Sequence, residues 1–102
     1  MKIIKVTYKT SPEYAETNKA NISVVMVDLQ AIGSPGINYH VCCGADGQTF
    51  THTAFFESEE ANKVLLELPA FKHFQEQLKA SGPVEAPKQE IMTFVRSSKA
   101  MF

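Results

Sequence analysis

The sequence predicts an α+β fold in the order β-α-β-β-α-β, with a four-stranded antiparallel sheet carrying its helices on one face. Three observations lead there. β-branched runs that alternate with polar residues stand near both ends of the chain. An Asp-Gly pair separates two further alternating runs. Two longer stretches have apolar residues at helical spacing, and each is followed by Gly and Pro. The 102 residues are 44% hydrophobic and 21% charged, which suits one globular domain spanning residues 1–102. Lys and Arg number 10 against 11 Asp and Glu, a net charge of −1, so the basic excess of a nucleic-acid or acidic-membrane binder is missing.

Ile3 to Tyr8 alternates with lysine and threonine and reads as the first strand. Ser11 then supplies an N-cap, Pro12 suits a first helical position, and Glu13 complements the positive end of the helix dipole. The helix is expected to run to Ile32, where Gly33-Ser34-Pro35-Gly36 stops it. Ala15, Asn18, Ile22, Val25, Met26, Leu29 and Ile32 share one helical face, with Asn18 as its only polar member. Ile37 to Gly44 and Gln48 to Phe56 read as a hairpin turning at Asp46-Gly47 in a two-residue type I′ turn, which pairs Ala45 with Gln48. Ser58-Glu59-Glu60 opens the next helix, whose stripe is Ala61, Val64, Leu65 and Leu68. Pro69 predicts a kink or short break, after which Phe71, Phe74 and Leu78 continue the stripe to Ser81-Gly82-Pro83. Val84 to Lys88 reads as a loop, Gln89 to Val95 as the last strand, and the end of the chain as a polar tail.

Two crossovers split around a hairpin give a ferredoxin-like sandwich. Its inner face carries Ile37, Tyr39, Val41 and Cys43 against Phe50, His52, Ala54 and Phe56. The outer face carries His40, Cys42, Thr51, Thr53 and Phe55, too weakly charged for a solvent face, and is expected to be the interface of a homodimer. Adjacent Cys42 and Cys43 have no metal-ligand spacing and read as two small buried hydrophobes, so no metal site is expected. The start of the chain lacks a signal-peptide pattern, and no stretch is long enough to span a membrane. A cytoplasmic protein with no membrane or nucleic-acid partner is expected.

The element order, Glu16-Thr17-Asn18 in the first helix, Asp46-Gly47-Gln48-Thr49-Phe50-Thr51-His52 in the hairpin and Leu68-Pro69-Ala70-Phe71-Lys72-His73-Phe74 after it resemble the dimeric α/β-barrel superfamily. The likeness is to its antibiotic-biosynthesis-monooxygenase-like and stress-responsive members, and it spans nearly the whole chain. It implies two protomers whose sheets close face to face into a barrel, and a pocket in each between sheet and helices. Some relatives oxidise polyphenols with molecular oxygen and no cofactor, and others degrade haem. The haem-degrading pattern is broken here: there is no Trp, Thr7 stands near the place of the strand asparagine, and Gln75 stands where the helix histidine is sought. The phenol-oxidising relatives also use a pocket tryptophan and arginine, whereas the sole arginine is Arg96, beyond the last strand.

His52 is the candidate catalytic residue, placed among Phe50, Ala54 and Phe56 on the helix-facing side. Asn18, Tyr39 and His52 are the expected polar lining of a pocket closed by Ile22, Phe71 and Phe74, suited to a small apolar or aromatic molecule with no cofactor. In an oxygenase-like role His52 takes the proton of a phenol or enol and Asn18 holds the oxyanion. The competing reading is a non-catalytic structural or stress-response dimer with a filled core, in which His52 is a hydrogen-bonded core histidine. His73 is expected to face solvent, and Glu57, Glu59 and Glu60 to be a solvated helix start.

Overall fold

The computed structural model describes residues 1–102. β1 (Lys2–Lys9) leads to α1 (Ala15–Ile32), then to the hairpin of β2 (Ile37–Cys43) and β3 (Thr49–Phe56). α2 (Glu59–Glu67), α3 (Pro69–Ser81) and β4 (Glu85–Met92) follow. The strands lie in the order β2-β3-β1-β4 and every pair is antiparallel. This is the ferredoxin-like α+β arrangement. All three helices contribute to one core with the inner face of the sheet, built on Tyr8, Val25, Phe50, Phe56, Leu65, Phe74 and Leu78.

The helix boundaries follow local chemistry. Ser11 receives the Tyr14 N–H on both its hydroxyl and its carbonyl, so it closes a turn, and α1 proper begins only at Ala15. Gly33 ends α1 at φ 68°, donating its N–H to the Leu29 carbonyl. The stripe is buried at Ala15, Asn18 and Val25, but Ile32, in the last turn before Gly33, is 51% exposed. Ser58 caps α2 by accepting the Ala61 N–H at 3.2 Å. Leu68 is extended ahead of Pro69, which the proline ring requires, and Pro69 then starts α3. The expected interruption is therefore a full break between two helices.

The hairpin keeps the register that pairs Cys43 with Phe50 and Tyr39 with Ala54, which is the expected one. Its turn differs. Gly47 has φ 71° and no other residue of the loop has positive φ, so Asp46 is not left-handed and the turn is not type I′. Gly47 instead donates to the Gly44 carbonyl, and Asp46 accepts the Gln48 and Thr49 N–H groups and the Thr49 hydroxyl. Those bonds, led by the Thr49 hydroxyl, hold the Asp46 carboxyl down at about 2.

Two expectations are corrected here. β4 spans Glu85–Met92 rather than Gln89 to Val95, so most of the expected loop is strand. Pro87 is tolerated because β4 is an edge strand and the proline falls inside the register shift between Thr7 and Lys9 of β1. Cys42 and Cys43 are exposed rather than buried, since they close an edge strand at its turn end.

The outer face of the sheet leaves His40 and Cys42 exposed and Thr51, Thr53 and Phe55 half-buried. Ile3 lies on this face beside Phe55 and Met92 yet is only 4% exposed. The chain after β4 comes back to that side, where the Asn38 side chain on β2 donates to the Met101 carbonyl at 3.1 Å.

Candidate functional site

Alternation along β1 and β3 sends Tyr8 and His52 to the helix side, and β2 adds Tyr39 one residue pair away on the hairpin. The Tyr8 hydroxyl lies 2.7 Å from His52 Nε2, and the Tyr39 hydroxyl lies 2.5 Å from His52 Nδ1. Asn18 Nδ2, on α1, donates to the Tyr8 hydroxyl at 2.8 Å. Four side chains from four elements thus form one hydrogen-bonded chain, Asn18–Tyr8–His52–Tyr39. Phe74 lies against the imidazole with ring centroids 5.3 Å apart, and Phe71 meets Tyr39 edge-on.

Burial sets the charge state of this chain. It pushes the His52 imidazole down to about 4, so the ring is neutral at physiological pH. Burial also drives both Tyr8 and Tyr39 well above the ordinary phenol range, and the Asn18 bond offsets only part of this at Tyr8. Three protons are therefore shared among two phenols and one imidazole, with no net charge. His52 is hydrogen-bonded at both nitrogens, as the core-histidine reading requires.

The chain nevertheless ends at an opening. A cavity of about 460 Å³ lies between the β1–β4 side of the sheet and helices α2 and α3. Tyr8, Tyr39 and His52 form its polar end. Ile4, Val6 and Ala54 supply the sheet wall, while Phe71, Phe74 and Leu78 close it from α3. Asn62, on α2 and only 6% exposed, adds a carboxamide from the helix side. Every residue of β4 is exposed, Ile91 to 63%.

Of the six expected lining residues, Tyr39, His52, Phe71 and Phe74 stand in the cavity wall. Asn18 and Ile22 do not. Asn18 is 0% exposed behind Tyr8, which occupies the space between α1 and the cavity, and Ile22 packs on the core beside it. Sequence reasoning missed Tyr8, treated as the last residue of a strand. Its signal was available: β1 pairs with β3 and puts an in-facing tyrosine one step diagonally from His52. Asn62 was missed because it flanks an apolar stripe without belonging to it. His73 is exposed, as are Glu57, Glu59 and Glu60, of which Glu59 pairs with Lys2 at 3.7 Å. No group of three or more His, Cys, Asp or Glu side chains is placed to hold a metal ion. No helix is long and apolar enough to cross a membrane.

Comparison with solved structures finds the same architecture in several proteins. An antibiotic biosynthesis monooxygenase superposes with a TM-score of 0.78 at 11% identity, covering 94% of this chain and 100% of that one. A Mycobacterium tuberculosis protein, Rv0793, gives 0.78 at 12% identity over 96% and 98% of the two chains. A Nitrosomonas europaea protein assigned to the antibiotic biosynthesis monooxygenases gives 0.79 at 15% identity over 94% and 100%. No protein-family model matches the sequence, and no curated protein matches it. At these identities the likeness is one of fold: the chain shares the fold of structures described as antibiotic biosynthesis monooxygenases.

Proposed function

We propose that this chain, built on the fold of the antibiotic biosynthesis monooxygenases, binds a small, largely apolar or aromatic molecule whose polar end meets Tyr39 and His52. One observation carries the reading: a hydrogen-bond chain buried at Asn18, Tyr8 and His52 ends at half-buried Tyr39 in the wall of a mainly apolar cavity of about 460 Å³. Interiors are close-packed, so space of this size beside a converging set of polar groups is the form of a ligand site. The filled-core alternative has no use for it. Phe71 and Phe74 offer ring faces and edges to a flat molecule, worth about 0.5–1.5 kcal/mol per aromatic pair beyond simple burial.

The test is a calorimetric titration with bicyclic aromatics that carry one oxygen, set against the unsubstituted hydrocarbon. The oxygenated members should bind, and Tyr39→Phe should weaken them by about fivefold to tenfold while the hydrocarbon is unaffected. A folded protein that takes up none of them rules the reading out.

The fold likeness supports a second reading, oxidation of a bound phenol or enol by molecular oxygen without a cofactor. In it the Tyr39 hydroxyl, beside His52 Nδ1, hydrogen-bonds the oxygen of the ionised phenol or enol and stabilises its negative charge until the bond to oxygen forms, while the imidazole, held at about 4, stays neutral. Oxygen uptake with a catechol or hydroquinone probe, lost in Tyr39→Phe, is the result this reading requires.

The same proposal includes a homodimer through the outer sheet face at His40, Cys42, Thr51, Thr53 and Phe55. The low charge of that face supports it. Light scattering should report twice the chain mass of 11.3 kDa, and a monomer at micromolar concentration refutes it.

A further inference from the structure

We infer that Asn18, which never reaches the cavity, sets the hydrogen-bonding polarity of the cavity's polar end: acting through Tyr8 and His52, it makes Tyr39 a proton donor, so the ligand atom meeting Tyr39 is an acceptor such as a carbonyl oxygen. The statement about the ligand rests on the proposed binding function. The statement about polarity stands on the chain alone.

The Tyr8 hydroxyl sits between Asn18 Nδ2 at 2.8 Å and His52 Nε2 at 2.7 Å. An amide nitrogen only donates, so the Tyr8 oxygen is the acceptor of that bond. The single Tyr8 proton must then go forward to His52 Nε2. A neutral imidazole that accepts at Nε2 carries its proton on Nδ1, and Nδ1–H donates to the Tyr39 oxygen at 2.5 Å. Tyr39 keeps its own proton, and the cavity is where a partner for it can lie.

The reverse chain requires the Asn18 amide to be turned over. Oδ1 then accepts from Tyr8, Nε2–H donates to Tyr8, and Tyr39 spends its proton on Nδ1. In the structure the far atom of the amide is Oδ1, wholly buried and without a hydrogen bond. Turning the amide over would put an NH₂ group in that position, and both of its N–H groups would need acceptors, whereas the observed orientation leaves one N–H and one carbonyl oxygen unpaired. Orphaned buried N–H groups are the rarer and costlier arrangement, so the observed orientation prevails. Asn18 therefore acts as a positioning residue, three hydrogen bonds removed from the Tyr39 proton.

The H40Q/H73Q double variant alters two exposed side chains and leaves His52 as the only histidine. Its ¹⁵N spectrum without ligand should show the His52 proton on Nδ1. A proton on Nε2 overturns the polarity inference outright. Two probes of similar shape then test the ligand consequence: indanone, which only accepts, and indole, whose ring N–H donates. The protein should prefer indanone by roughly fivefold to tenfold, the worth of one neutral hydrogen bond. Asn18→Asp, whose carboxylate accepts from Tyr8, should move the proton to Nε2 and reverse the preference. Should that variant not fold, Asn18→Leu, which removes the amide that fixes Tyr8 as an acceptor, should shrink the preference toward equality, and a full wild-type preference in it shows that Asn18 does not set the polarity. Equal or inverted binding in the wild type overturns the ligand half. A proton on Nδ1 with neither probe bound supports the polarity and refutes the binding function, so the two failures are distinguishable.

Discussion

The Tyr8 hydroxyl lies 2.7 Å from His52 Nε2 and receives the Asn18 amide on its other side, so Tyr8 is the only link between α1 and the imidazole. Tyr8→Phe removes one atom and strands two buried groups, His52 Nε2 and Asn18 Nδ2. Each unsatisfied polar group costs about 1–3 kcal/mol, and the ring packing against Phe50 is retained. A loss of about 2–4 kcal/mol in urea denaturation is expected. A change below 0.5 kcal/mol, well under the cost of one stranded group, shows that the chain contributes nothing to the fold.

The acid response of the protein follows from His52. Its pKa is about 4 in the folded state against 6.5 for an unperturbed imidazole. Between those values the unfolded chain binds the proton and the folded chain does not. Stability from this source is therefore complete above 6.5, falls as pH drops through the window, and levels off below about 4. The gap corresponds to about 3 kcal/mol. Denaturation midpoints measured across the window in wild type and in His52→Gln isolate this contribution from that of the carboxylates. The variant should lose the slope between 6.5 and 4. Identical slopes in both proteins count against a neutral, buried histidine.

Ala54 is one of two alanines on the sheet wall of the cavity, paired with Ile4 on one side and Tyr39 on the other. Ala54→Leu extends into open space, so the fold should hold, with a gain of up to about 1 kcal/mol from added apolar burial. Binding of a bicyclic ligand should fall at least about tenfold, a loss of 1.4 kcal/mol or more. Unchanged affinity in a folded variant places the ligand elsewhere.

What was legible in the sequence was what depends on local chemistry and strict alternation. The hairpin register, the Pro69 break, the Ser58 cap and the inward direction of His52 all follow from residue type and period. What was not legible depends on which strands become neighbours. Edge position decides that Cys42 and Cys43 are exposed and that Pro87 is accepted inside β4, and neither residue announces its strand as an edge. Asn18 was correctly placed on the inward stripe of α1, but pattern alone does not show that Tyr8 fills the gap ahead of it. Side-chain reach across a layer, unlike direction, is a property of the packed core.

The outer sheet face yields the last prediction. Ile3 is 4% exposed although no helix lies on its side of the sheet, and the chain after β4 comes back to that side, where Asn38 donates to the Met101 carbonyl. Deleting Ser97 to Phe102 removes that bond and opens Ile3 and Phe55 to water. Full exposure of an isoleucine costs about 1.5–3 kcal/mol, and partial exposure correspondingly less, so a loss of about 1 kcal/mol is expected for the isolated chain. Newly exposed apolar surface beside His40 and Thr53 should also strengthen self-association if a second copy docks there. The shortened chain should then show a denaturation midpoint that rises with protein concentration more steeply than wild type. A destabilised chain with no concentration dependence would mean that the segment only covers the sheet, and that the outer face is not where copies meet.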